Sequence, residues 1–173
     1  MRPLGRALIS ADTWFARSRD ISSEEKFVQY FAPKLEQQGR GESLTLVARA
    51  LENGEFLAMS TFQHPGPGFR RVEIGFTWVA DHWHRTFVNT EMKYLMLCHA
   101  FDEMKTNRVE FSVHPTNSKS NTAMKGLGAT FEGCLRKWRF LGGEDDGNRN
   151  IYSIIDDEWP TVRAALKKRV FES

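Results

Sequence analysis

The sequence predicts a mixed α/β domain: a helix, antiparallel strands, then strand–helix–strand–helix–strand–strand. Three observations carry this. Segments alternating apolar and polar residues recur through the middle of the chain. Two helical runs interrupt them, and Gly- or Pro-rich turns punctuate the series. The 173 residues suit a single domain, 1–173, without repeat, low-complexity tract or linker.

Ser22-Ser23-Glu24-Glu25 reads as a helix start, with a serine cap and acids in the first turn; the helix runs to Gln38, ahead of Gly39 and Gly41. Ser43 to Ala50 and Phe56 to Gln63 form a hairpin around Glu52-Asn53-Gly54. After the Pro65-Gly66-Pro67-Gly68 turn, Val72, Ile74, Phe76 and Trp78 alternate with Glu73, Gly75 and Thr77 as a two-faced strand. A polar loop, Asp81 to Val88, precedes the strongest helix, Thr90 to Met104, whose scant polar circumference predicts burial. Val109, Phe111 and Val113 mark another strand, and a helix from Ser118 to Leu127 stops at Gly128. Phe131 to Leu141 and Ile151 to Ile155 flank an acidic turn, Gly142 to Gly147, before a last helix near Glu158-Trp159-Pro160.

Composition narrows the function. With 40% apolar and 27% charged residues the chain is globular, and a net charge of +2 does not argue for a nucleic-acid partner. Cys98 and Cys134 are far apart and the five histidines are scattered, so no disulfide framework or metal site is expected. The start, Met1-Arg2-Pro3-Leu4-Gly5-Arg6, lacks the apolar run of a signal peptide, and no window has the length of a membrane span. The expected location is the cytoplasm, with no membrane partner.

Chemistry concentrates between Val72 and Met104. A helix N-terminus offers free amides and a partial positive charge, which suits phosphate. Here His84, Arg85, Thr86, Asn89 and Thr90 precede or open the helix as further donors. The plainer reading is a polar loop in which Asn89 or Thr90 caps the helix.

The blocks Glu73-Ile74-Gly75-Phe76-Thr77-Trp78 and Trp83-His84-Arg85-Thr86-Phe87-Val88-Asn89-Thr90-Glu91-Met92-Lys93 resemble the GNAT acetyltransferases, in the branch related to enzymes that acetylate N-termini of ribosomal proteins. The resemblance continues through Asn117-Ser118-Lys119-Ser120, Leu127-Gly128-Ala129, Glu132-Gly133, Leu135-Arg136 and Tyr152 to Pro160, covering about Thr13 to Val170. It implies a mostly antiparallel central sheet with a splayed strand pair, flanked by helices. The acyl donor would be acetyl-CoA. Its pantetheine arm would pair with the strand ending at Trp78-Val79, and His84, Arg85, Thr86, Phe87, Val88, Asn89 and Thr90 would form the pyrophosphate loop. Asn117 would bond the pantetheine region and Ser120 would lie near the sulfur.

Departures from the pattern raise definite questions. The superfamily loop Q/R-x-x-G-x-G/A has His84, Phe87 and Asn89 at its signature positions, so no glycine remains. Phe87 either alters cofactor affinity or turns its ring into the core, and the second is the expectation. Where many relatives place a proton-donating tyrosine, this chain has Met124, leaving Ser120 as the acid unless its hydroxyl bonds backbone. Glu73 is the candidate general base, acting through water, against the reading of an exposed strand carboxylate without function; His84 and His114 are further titratable candidates.

The function implied is direct transfer of acetyl to a primary amine (a protein N-terminus, peptide or small amine) in a ternary complex, with a backbone N–H near Val79 polarising the carbonyl. Trp14, Phe15, Phe27, Tyr30 and Phe31 either wall the acceptor side or pack into the core. No acidic cluster suits a strongly cationic acceptor. The alternative is an acyl-CoA-binding protein without transferase activity, favoured by Phe87 and Met124. Only Met1 to Leu4 is available for a first strand, and its loss would favour a homodimer through the exposed edge.

Overall fold

In the computed structural model, residues 23–64, 68, 70–139 and 146–172 are described. Ser23 opens the first helix, α1 (Glu24–Gly39), by accepting a hydrogen bond from the Lys26 amide at 3.3 Å, with Glu24 and Glu25 against the positive end. Strands β1 (Ser43–Arg49) and β2 (Phe56–Gln63) form the expected hairpin. Its turn uses Gly54 at φ 70°, whose carbonyl accepts from Arg49 Nη1 at 2.9 Å. Strand β3 (Arg71–Val79) follows, then a 3-10 turn (Asp81–Trp83) and α2 (Val88–Cys98). Next come β4 (Arg108–Val113), α3 (Ser118–Leu127), β5 (Thr130–Leu135), β6 (Arg149–Ile155) and α4 (Trp159–Phe171). No helix among the described residues is long and apolar enough to cross a membrane.

The six strands lie in the order β1-β2-β3-β4-β6-β5. Neighbours run antiparallel except β3 and β4, where the α2 crossover brings the chain back in the same direction. That parallel pair is joined only over Arg71–Glu73 and Arg108–Glu110 and then separates, giving the splay the family resemblance implies. Just beyond the last paired residue, β3 bulges. Its register with β2 shifts between Met59 and Thr61, and Phe76 takes φ 46°.

Alternation assigns the faces. Phe62, Val72, Ile74, Val109, Phe111 and Ile154 point to one side, where Met92 and Leu97 of α2, Met124 and Leu127 of α3, and Trp159 and Leu166 of α4 complete the main core. Each such buried side chain contributes about 1.5–3 kcal/mol. On the opposite side Met59, Trp78 and Ala80 form a smaller cluster with Phe27, Tyr30 and Phe31 of α1. Phe27, Tyr30 and Phe31 all join the cluster from partly covered positions. Trp14, Phe15 and the Met1–Leu4 segment, with the dimer argument built on it, fall outside the described residues, as do Pro65–Pro67 and most of the acidic turn.

Two boundaries differ from expectation. The long helix does not stay α-helical to Met104: α2 ends at Cys98 and a π turn, His99–Glu103, replaces its last part. The wider turn carries Phe101 onto Trp159, with stacked rings 5.0 Å apart, and leaves the Ala100 carbonyl to accept from Thr106 Oγ1 at 2.9 Å. Strand β5 stops at Leu135 rather than Leu141. The chain turns at Lys137 (φ 54°), which lets Arg139 reach back to Glu73 on β3.

One charged residue lies inside the core. Lys93 is 2% exposed and points from α2 at the bulge, where Nζ donates to Ser60 Oγ at 2.9 Å and Thr77 Oγ1 at 2.5 Å. Burial pushes its pKa down to about 7. In the unfolded chain the value returns to about 10.5. Between these values the unfolded state holds a proton that the folded state lacks, so stability rises with pH from about 7 to 10.5 and is lost as pH falls across that window, with no further change below 7. Urea unfolding across this window should show wild type gaining up to about 1.4 kcal/mol per pH unit more than Lys93→Met. Equal slopes would mean that Lys93 stays protonated in the fold.

Candidate active site

Past Glu73 and Glu110, the facing edges of β3 and β4 have no strand partner across the gap, while β2 and β6 hold their outer edges. Extended backbone of this kind can pair with an extended ligand. Because β3 and β4 are parallel, the segments after both emerge at the same end of the sheet, where ligands bind in open α/β sheets. The loop His84–Thr90 and the pair Asn117 and Ser120 therefore share one end of the gap, although 27 or more residues separate them in sequence (117 − 90 = 27). Val79 is joined to that loop directly, since His84 Nε2 meets its carbonyl at 3.0 Å. Trp78 buries its ring toward α1, 5.3 Å from Phe56, and its Nε1 has no hydrogen-bond partner among the described residues.

The loop is braced from behind. Glu55 Oε1 pairs with His82 Nε2 at 2.6 Å and accepts from Trp83 Nε1 at 3.2 Å; these contacts, His82 first, hold its carboxyl below the usual range. Thr86 Oγ1 donates to the Trp83 carbonyl at 2.8 Å and accepts from the Val88 amide at 3.4 Å, so this hydroxyl shapes the loop. The turn itself is made by Arg85 at φ 62°, whereas Phe87 has an ordinary helical φ of −65°. The backbone therefore does not require glycine at Phe87. Its ring, expected in the core, is 55% exposed and stands edge-on to Trp83 at 6.3 Å. The helix begins one residue later, so Phe87 takes the cap position and has no side chain to fill it. Asn89 and Thr90 lie inside the first turn, not at the cap. Their amides make no hydrogen bond among the described residues.

At α3, Asn117 Oδ1 caps the helix by accepting from the Ser120 amide at 3.1 Å, and its Nδ2 has no hydrogen-bond partner among the described residues. Ser120 is half-buried and its hydroxyl bonds no backbone group among the described residues, while Met124 is buried in the core. Asn121 is a site-supporting residue that sequence reasoning missed. Its Nδ2 donates to the His114 carbonyl at 3.0 Å, and its Oδ1 accepts from Tyr152 Oη at 2.9 Å and Asn150 Nδ2 at 2.8 Å. Only an amide in the first turn of a helix could have signalled it, and that feature is common.

Glu73 sits at the closed end of the gap, about 20 Å along β3 from Val79 at strand rise. It is not the exposed carboxylate pictured from sequence. Arg139 donates to its oxygens at 3.3 and 2.8 Å, and Gln63 Nε2 lies 3.4 Å away. His114, also a candidate, is buried between Asp146 (Nε2 to Oδ1, 3.0 Å) and Thr116 (Nδ1 to Oγ1, 2.8 Å). Across β4, β6 and β5, Arg108 grips Glu132 and, with Ser153 also donating, holds that carboxyl down to about 2.

A family model described as an acetyltransferase (GNAT) domain matches residues 7–130. The chain is 23% identical over 146 residues to a proposed ribosomal N-acetyltransferase of Bacillus subtilis, YdaF, covering 84% of this chain and 78% of that one. Among solved structures, a proposed acetyltransferase from T. thermophilus is 29% identical with a TM-score of 0.82, covering 96% of this chain and 88% of its own. RimJ of Mycobacterium smegmatis, solved in complex with CoA-disulfide, shares the fold at 22% identity and a TM-score of 0.69, over 84% of this chain and 68% of its own.

The Asn121 hub is testable by stability. Asn121→Ala strands the buried Tyr152 hydroxyl and should cost about 1–3 kcal/mol in chemical unfolding. A change below about 0.5 kcal/mol would show that the hub does not hold α3 to the sheet.

Proposed function

Because this chain belongs to the GNAT acetyltransferase family, we propose that it moves acetyl from acetyl-CoA to the primary amine of a protein N-terminus, peptide or small amine, in the cytoplasm and by direct attack in a ternary complex. The observation that carries this reading is the gap between β3 and β4, closed at Glu73 and ending beside an uncapped helix start. An extended pantetheine arm can pair with the β3 edge through Trp78 and Val79, as in strand addition. The pyrophosphate then meets the free amides of Asn89 and Thr90, the positive end of α2 and the exposed Arg85. His84, Thr86, Phe87 and Val88 shape that loop, and Asn117 Nδ2 is free to bond the arm.

Acetyl-CoA supplies an acetyl thioester. The amine nitrogen forms a bond to the acyl carbon, the carbon–sulfur bond breaks, and the amine loses one proton. A β3 amide near Val79 can hold the developing oxyanion. Ser120, with an uncommitted hydroxyl, is our candidate to protonate the leaving thiolate. Glu73 is the candidate acceptor of the amine proton, but it stands about 20 Å along β3 from Val79 with both oxygens held by Arg139, so that role needs a chain of waters and not a single one. The rings of Phe27, Tyr30 and Phe31 give the acceptor side an apolar wall, which suits a peptide better than a polyamine. The similarity to YdaF, named for ribosomal substrates, supports the same preference.

The deciding experiment titrates acetyl-CoA by calorimetry and then follows thiol release with peptides bearing free N-terminal Ser, Ala or Thr, and with spermidine. Release above background with a peptide supports transfer; tight binding with no release for any amine would support a binding protein without activity. Arg85→Ala should weaken acetyl-CoA binding about tenfold at low salt and less at high salt. Unchanged affinity would remove Arg85 from the phosphate site. Ser120→Ala and Glu73→Gln should each lower kcat about 10²-fold with acetyl-CoA affinity unchanged. A full-rate variant would exclude its residue from proton transfer.

A further inference from the structure

We propose that Lys93 is a positioning residue for the acyl donor, coupling the helix that starts at the phosphate-facing loop to the strand edge that receives the pantetheine arm. The inference rests on the reading of that loop and edge as two halves of one acetyl-CoA site. Lys93 lies five residues after Val88, on the same rigid helix whose first-turn amides are free. Its Nζ spans to the sheet and bonds Thr77 Oγ1, the residue immediately before Trp78 and Val79. It also bonds Ser60 Oγ, which is 2.9 Å from Thr77 Oγ1 and donates to the Gly75 carbonyl at 3.3 Å. The three side chains thus grip both ends of the bulged stretch Gly75–Thr77.

The Phe111 ring of β4 stands 6.0 Å from Nζ, so the amine lies at the level where β4 has parted from β3. Packing alone does not account for a lysine here. A methionine would fill similar volume without desolvating an amine. The N–H groups of the amine instead match the two hydroxyl oxygens, while Thr77 Oγ1 can donate to Ser60 Oγ, which donates in turn to the Gly75 carbonyl. Such a closed network fixes the bulge relative to α2, and with it the angle at which the β3 edge meets the loop.

Calorimetry on the full chain with two ligands tests this. One is acetyl-CoA; the other is adenosine 3′,5′-bisphosphate, which carries phosphates but no pantetheine arm. Lys93→Met should raise the Kd for acetyl-CoA about tenfold and leave that for adenosine 3′,5′-bisphosphate within about twofold. Thr77→Val, which keeps the lysine and removes an acceptor, should give the same selective loss, and Thr77→Ser should restore binding. The Lys93→Met/Thr77→Val double variant should be no weaker than the weaker single variant. If Lys93→Met does not fold, the Thr77 pair decides the matter. Equal losses for both ligands, or no loss for acetyl-CoA, would overturn the coupling while leaving the cofactor site intact. A wild-type chain that binds neither ligand would overturn the site reading and this inference together.

Discussion

The parallel contact between β3 and β4 governs this molecule, because it stops after three residue pairs. Had the ladder continued, the sheet would be closed and its backbone groups satisfied internally. The bulge at Phe76 re-aims β3 at the point where the ladder ends, and β2 and β6 keep the two strands rigid along their outer edges. A slot lined by unused peptide groups results. Since both strands run the same way, everything that follows them in sequence, the loop before α2 and the start of α3, collects at one end of that slot.

The loop solves without glycine a problem usually met with it. In the proposed phosphate site the backbone reverses ahead of α2 at Arg85, which takes the left-handed conformation. That conformation costs a non-glycine residue about 1–3 kcal/mol, and the Glu55, His82 and Trp83 contacts, with the Thr86 staple, hold it in place. Polar groups here divide into two sets. Thr86 and Glu55 are consumed in building the loop, while Arg85 and the amides of Asn89 and Thr90 have no hydrogen-bond partner among the described residues.

The face of the sheet away from the main core shows a similar division. Arg108 of β4 bonds Glu110 on its own strand and Glu132 of β5. Partly exposed pairs of this kind contribute little to stability, on the order of 0–1 kcal/mol. The Glu73–Arg139 pair differs in position: it ties the segment after β5 to the closed end of the slot.

Local patterns were enough for the element order, the hairpin, the serine cap of α1 and the Gly128 stop of α3, because each depends on neighbours a few residues apart. The ordered motifs from Glu73 to Pro160 likewise identified the family from sequence. The rest depended on contacts distant in sequence. The π turn answers to Trp159, the early end of β5 to Glu73, and Asn121 to Tyr152, none of them near neighbours. Phe87 could not be placed because its orientation follows from the turn at Arg85, a backbone state that residue type alone does not dictate. Lys93 closes a family block in the sequence, but only the fold sets it beneath two hydroxyls on adjacent strands. Sequence by itself thus determined the elements and the kind of chemistry, since periodicity and motif spacing are local. Tertiary structure alone decided which polar groups are spent within the fold and which stay free, since hydrogen-bond partners are chosen across space.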